Sequence, residues 1–79
     1  LSNMNSYFDI EEYLNKLPDN ITTIDVSNKN ITTIPSLQRF TNLKNLYCQD
    51  NFLTFLPDLP NNLEILYCYN NKLKYLKVP

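Results

Sequence analysis

LKNLYCQDNFLTFLPDLP, running from Leu43 to Pro60, is restated as LEILYCYNNKLKYLKVP from Leu63 to Pro79. Leu43 falls on Leu63, Leu46 on Leu66, Tyr47 on Tyr67, Cys48 on Cys68, Asn51 on Asn71, Leu53 on Leu73 and Leu56 on Leu76, a constant offset of 20 residues. L-x-x-L-x-L-x-x-N-x-L spacing at a period near twenty marks a stacked repeat array, a solenoid, with Cys here in the third apolar slot.

An earlier, divergent copy precedes these two. Leu17-Pro18-Asp19-Asn20-Ile21 mirrors Leu59-Pro60-Asn61-Asn62-Leu63, and Ile21, Ile24, Val26 and Ile31 take the apolar slots that follow. Lys29 stands where Asn51 and Asn71 stand later, flanked by Asn28 and Asn30, either of which is a candidate substitute for the missing Asn. This first unit is two residues longer than the next, and the extra length lies in Ser36 to Thr41, a stretch suited to a helical turn with Phe40 inward. Upstream, Asp9 to Leu17 places Ile10, Tyr13, Leu14 and Leu17 on one helical face. Asp9 and Glu12 read as a capping box, and Pro18 stops the helix. So short a helix needs a surface to pack on, and the open end of the array offers one. It reads as an N-terminal cap, with a partner-binding helix as the alternative. The organisation expected is therefore a tail over 1–8, a capping helix over 9–17 and repeats over 18–79, divided at about 21–42, 43–62 and 63–79.

Each repeat should contribute one short strand, over Thr23 to Val26, Asn45 to Cys48 and Ile65 to Cys68, paired in a parallel sheet. Side chains alternate across a strand, so Leu, Val and Cys face inward and their neighbours outward. The outward set is Thr23, Asp25 and Ser27, then Asn45, Tyr47 and Gln49, then Ile65, Tyr67 and Tyr69. Asn51 and Asn71 form a structural Asn ladder, their amides satisfying backbone groups that the bend after each strand leaves unpaired. The return leg Leu56-Pro57-Asp58-Leu59-Pro60 is extended, since two prolines leave no room for a helix. Phe52, Phe55 and Tyr75 should seal the ascending flank.

These residues resemble the leucine-rich-repeat proteins over about Pro18 to Pro79. The middle and last repeats are most similar to the short twenty-residue class found in bacterial type III secreted effectors. Its L-P-x-L-P-x-x-L pattern is matched by Leu56-Pro57-Asp58-Leu59-Pro60-Asn61-Asn62-Leu63. Asn- and Tyr-rich repeats of giant-virus proteins are similar too. The resemblance implies an α/β repeat fold: a short leucine-rich-repeat solenoid with its parallel β-sheet on the concave face, an N-terminal capping helix and an irregular convex side. It also implies protein recognition on the concave sheet. Two departures stand out, Lys29 in the Asn slot and Leu76-Lys77-Val78-Pro79, one residue short of the L-P-x-L-P pattern. Some of those effectors carry a separate ubiquitin-ligase domain, for which 79 residues leave no room.

Composition narrows the function further. The net charge of −1 draws neither nucleic acid nor an anionic membrane, and no apolar run is long enough to span a bilayer. There is no His, so a Ser–His or Cys–His nucleophile is impossible, and no Gly, so no phosphate-cradling loop exists. Asp25 and Asp50 occupy slots that face different ways. Neither catalytic residues, nor a cofactor, nor a metal site is expected. Without Gly, positive-φ turns must fall to Asn or Asp. Cys48 and Cys68 read as buried core thiols rather than a disulfide or half a metal site, which favours a reducing compartment, cytoplasmic and inside a host cell.

Two functions follow. The first is a non-catalytic module that binds a partner protein through Asp25, Asn45, Tyr47, Gln49, Ile65, Tyr67 and Tyr69. Tyr is enriched at interfaces, although cross-strand Tyr pairs also stabilise a sheet. The second is a structural or self-assembly module. The core slots Leu66, Cys68, Leu73 and Leu76 lack a following layer, and arrays normally end in a polar cap. A homodimer through this C-terminal edge, a longer parent effector, and solubilisation by Lys72, Lys74 and Lys77 are the competing accounts of that end.

Overall fold

The strand of each repeat is launched by a turn. The N–H groups of Ile21, Leu43 and Leu63 donate to the carbonyl oxygens of Pro18, Phe40 and Pro60, three residues back in each case. The strands β1 (Thr23–Asp25), β2 (Asn45–Tyr47) and β3 (Ile65–Tyr67) then pair in parallel, in chain order, as an open three-stranded sheet. This is a computed structural model, and it describes residues 7–74. Of the tail expected over 1–8, residues 1–6 lie outside the described residues, as do Tyr75, Leu76, Lys77 and the rest of the C-terminal stretch, while Phe8 packs against the core.

The register follows the repeat. Thr23, Asn45 and Ile65 form one row, Ile24, Leu46 and Leu66 the next, and Asp25, Tyr47 and Tyr67 the third. Only the middle row faces inward. Ile24 and Leu46 join Val26, Ile31, Ile34, Leu37, Phe40, Leu43, Cys48 and Leu53 in one buried cluster. Leu63, Leu66, Cys68 and Leu73 of the third repeat pack against that cluster but are only half-buried.

Each strand is one residue shorter than the sequence suggests. Val26 and Cys48 still donate their N–H groups to Tyr47 and Tyr67 (both 2.8 Å), but their carbonyl oxygens are taken by side-chain amides of the next repeat, which ends the ladder. Past the strands, backbone bonds still join successive repeats: Phe52 N–H to Ile31, Lys72 N–H to Leu53 and Leu37 N–H to Asp58. No helix lies between the strands among the described residues. Ser36 to Thr41 forms successive turns rather than a helical turn, and Phe40, 1% exposed, fills the space the two extra residues enclose.

The N-terminal helix α1 spans Ile10–Asn15, shorter at both ends than Asp9 to Leu17 because Asp9 and Lys16 serve as its caps. Asp9 Oδ1 accepts the Glu12 N–H at 3.1 Å, so half of the capping box forms. The other half does not: the Glu12 carboxylate turns to Lys16, one turn on, at 3.4 Å. Leu14 is buried in the common core, with Phe8, Ile10, Tyr13 and Leu17 packed around it. Arg39 fastens the helix from the repeat side. Its Nη2 donates to the Leu14 carbonyl and its Nη1 to Asp19, both at 2.6 Å, while the guanidinium lies over the Phe40 ring.

Candidate functional site

Asn51 ties together the backbone that follows β1 and β2. It is 4% exposed, the one buried polar side chain among the described residues. Its Oδ1 accepts from the N–H groups of Lys29 (2.9 Å) and Ile31 (3.2 Å), and its Nδ2 reaches the carbonyl oxygens of Val26, Cys48 and Gln49. Asn71 repeats the pattern one unit later, with the Leu53 N–H on Oδ1 and the carbonyls of Cys48, Cys68 and Tyr69 on Nδ2. Each amide thus bridges its own repeat and the one before it. At the Lys29 slot there is no earlier strand to bridge to among the described residues. Neither Asn28 nor Asn30 substitutes through its side chain. Both instead take positive φ (53° and 58°), and the Lys29 ammonium sits 5.4 Å from the Phe8 ring.

The turn slot just before the Asn supplies the other constraint. Asn28, Asp50 and Asn70 all have positive φ, between 53° and 60°, a region that costs most residues dearly and Asn and Asp least. Asn70 Nδ2 donates to Asp50 Oδ1 at 2.8 Å, so this slot forms its own short ladder. Sequence reasoning assigned such turns to Asn or Asp in general but missed the slot itself. Its signal was the recurrence of Asn or Asp at the same position of all three repeats.

With strand and turn fixed, the outward rows present the candidate residues. Asp25 is exposed at the β1 end; its Oδ1 accepts both the Oγ–H (2.7 Å) and the N–H (3.0 Å) of Ser27, which hold its carboxyl below the usual carboxylate range. Asn45 donates from Nδ2 to Thr23 Oγ1 at 3.0 Å. Tyr47 meets Tyr67 edge-on, with ring centroids 5.0 Å apart and planes at 74°, and Tyr67 meets Tyr69 at 6.1 Å. Tyr67 and Tyr69 are 46% and 55% exposed, with Ile65 beside them at 41%. Gln49 is half-buried, its Oε1 enclosed without a donor. All seven candidate residues thus sit on or just past the strands, polar toward β1 and aromatic toward β3.

Phe52 and Phe55 do not seal the ascending flank. Both are about half exposed, because the interior of that leg is already filled by Leu53 and the bends on either side turn the two rings out. Cys48 is fully buried and Cys68 half-buried; neither is in a disulfide, and burial pushes the Cys48 thiol up to about 12. Among the described residues no group of three or more potential ligands is placed to hold a metal, and no helix is long and apolar enough to cross a membrane.

A family model described as leucine rich repeats (2 copies) matches residues 19–61, more than half of the chain. The chain belongs to the leucine-rich-repeat family. No curated protein and no solved structure gives a significant match to it. Leucine-rich repeats generally mediate protein–protein interaction and are typically not enzymes. The Asn51 and Asn71 amides bond the backbone at the bends that follow β2 and β3.

Proposed function

We propose that this leucine-rich-repeat chain is a non-catalytic recognition module that binds a partner protein on the outward, concave face of its sheet. Tyr47, Tyr67 and Tyr69 are the anchors, Ile65 extends the apolar area, and Asp25, Asn45 and Gln49 form the polar margin. The observation that carries this reading is the contiguous, half-exposed tyrosine cluster of β2 and β3. Aromatic rings are large, rigid contact surfaces, and their hydroxyls can bond a partner without being desolvated unpaired. In the same reading the chain is a short solenoid with an irregular convex side, capped at its first repeat by α1, and sits nearest to the short L-P-x-L-P repeat class of secreted effectors and similar viral proteins. The free thiols fit the reducing cytoplasm of a host cell.

The test replaces Tyr47, Tyr67 and Tyr69 together by Ala. Tyr67 and Tyr69 are exposed and Tyr47 half-buried on the outward face, so the fold should be unchanged by circular dichroism. Capture of the partner protein from host-cell lysate should fall at least about tenfold, the loss expected when several aromatic anchors are truncated. Undiminished capture by the folded variant rejects this face as the binding surface. A second reading has its own support in the half-buried Leu63, Leu66, Cys68 and Leu73: the third repeat joins a second copy edge to edge. Molar mass by light scattering separates the two, since a dimer that dissociates on dilution belongs to the second alone.

A further inference from the structure

We propose that the group this face receives is an arginine side chain, carried on an exposed segment of the partner protein, its guanidinium laid across the row of Asp25, Tyr47 and Tyr67. The inference rests on the recognition reading above and names the chemistry of its ligand.

Around Asp25 the Ser27 hydroxyl and N–H are spent on Asp25 Oδ1, and the Asn45 amide donates to Thr23. The Tyr47 and Tyr67 hydroxyls can both donate and accept. Asp25 Oδ2 and Asn45 Oδ1 are acceptors with no bond among the described residues. The faces of the Tyr47 and Tyr67 rings add electron-rich surface in the same row as Asp25. No Lys or Arg lies in any of the three strands. The nearest cation acting on Asp25, Lys29, has its ammonium by the Phe8 ring, and no ion pair to Asp25 forms among the described residues.

A surface that sets an unpaired carboxylate oxygen beside aromatic rings, with no cation in its strands, complements a flat cation. Guanidinium has five donors and no acceptor, and its flat, weakly hydrated plane stacks on aromatic rings. An ammonium is more strongly hydrated and offers no flat plane to a ring, and a carboxylate would meet Asp25 with like charge. Size points the same way. Three strands about 4.8 Å apart, each taken with the two residues that follow it, present a face of roughly 250 Å², well below the ~800 Å² per partner of a standard interface. Such an area suits one or two side chains of a projecting segment better than a broad globular surface.

The test is a nuclear magnetic resonance titration of the full chain with three small probes: N-acetyl-arginine amide, its neutral isostere N-acetyl-citrulline amide, and N-acetyl-leucine amide. The expected result is that the arginine probe shifts the backbone resonances of Asp25, Tyr47 and Tyr67, with citrulline weaker by about three- to fivefold, the worth of an exposed charge contact. Asp25→Asn keeps an oxygen for Ser27, so it folds, and it should abolish the preference for arginine over citrulline. If leucine shifts the same resonances at least as strongly as arginine, the arginine assignment is overturned while the face stands as a recognition surface. Absence of shifts at this row with all three probes, or an arginine preference that survives Asp25→Asn, also overturns it. The tyrosine variants judge the recognition reading separately.

Discussion

Asn51 is the residue with the most backbone depending on it. Replacing it by Leu keeps the volume and removes all five of its bonds, orphaning the buried N–H of Ile31 and the carbonyl of Val26, while the Cys48 carbonyl keeps the Asn71 amide. Each orphaned buried group costs about 1–3 kcal/mol, and a domain of this size has only about 5–15 kcal/mol of stability in all. Asn51→Leu should therefore unfold the chain at room temperature, visible as loss of the cooperative melt in circular dichroism. Asn71→Leu should leave a folded chain with a lowered midpoint, because Asn71 is only half-buried and water can replace part of its role. Equal melts for the two variants would contradict this ranking. Cys48 gives a second residue-scale prediction. Its thiol is held neutral in the folded chain up to about pH 12, whereas in the unfolded chain it ionises from about its ordinary value of 9.0. The contribution is therefore complete below pH 9 and drains away as pH rises toward 12. Urea midpoints of the wild type should fall more steeply over that window than those of Cys48→Ala, which has no thiol to ionise. The Asn ladder was legible from spacing alone, because a polar residue recurring amid apolar slots has to be satisfying backbone. Its reach into the preceding repeat was not legible, and so Lys29 read as a departure rather than as the slot with no earlier strand beside it.

At the scale of elements, α1 and the strands differ in what holds them. The strands are fixed by a repeat that states the same register three times, and for that reason their order, pairing and inward faces could be read before the structure. The helix is stated once. Its type followed from Ile10, Tyr13, Leu14 and Leu17, but its ends depend on local choices that pattern does not encode, such as the preference of Glu12 for Lys16 over the Asp9 N–H. Its attachment was invisible, since Arg39 lies outside every repeat slot and reaches Leu14 across 25 residues of sequence. A six-residue helix has no stability of its own, so that attachment decides whether it forms. Arg39→Ala removes a charged bond to the Leu14 carbonyl worth about 1.5–3 kcal/mol and the contact with the Phe40 ring. Amide exchange at Tyr13 and Leu14 should accelerate markedly while that at Leu46 holds. Arg39→Lys should rescue little, because one ammonium cannot reproduce a fork that bonds Leu14 and Asp19 at once. Equal acceleration in helix and sheet would show instead that the two unfold as one unit.

Across the whole molecule, burial falls from the first repeats to the last. Leu43, Leu46, Cys48 and Leu53 are sealed, whereas their counterparts Leu63, Leu66, Cys68 and Leu73 are half-buried, although the sequences of the second and third repeats are close to identical in the apolar slots. Sequence could not grade these repeats, because burial in a stacked array depends on having a neighbour on both sides, and the same Leu is core in the middle and surface at the end. In such an array stability is a sum of nearest-neighbour terms, so the repeat with one neighbour should open first and alone. Hydrogen exchange across the sheet tests this directly: the strand amides of Ile65–Tyr67 should exchange at least about tenfold faster than those of Asn45–Tyr47, as expected for an opening cheaper by about 1.4 kcal/mol or more. Running the experiment at two protein concentrations extends it. Protection of β3 that does not change with concentration assigns the gradient to a single copy with an open last layer. Protection that rises with concentration, reaching that of β2, assigns the third repeat to pairing between copies. The tyrosines of β2 and β3 would then have to recognise their partner from within a dimer.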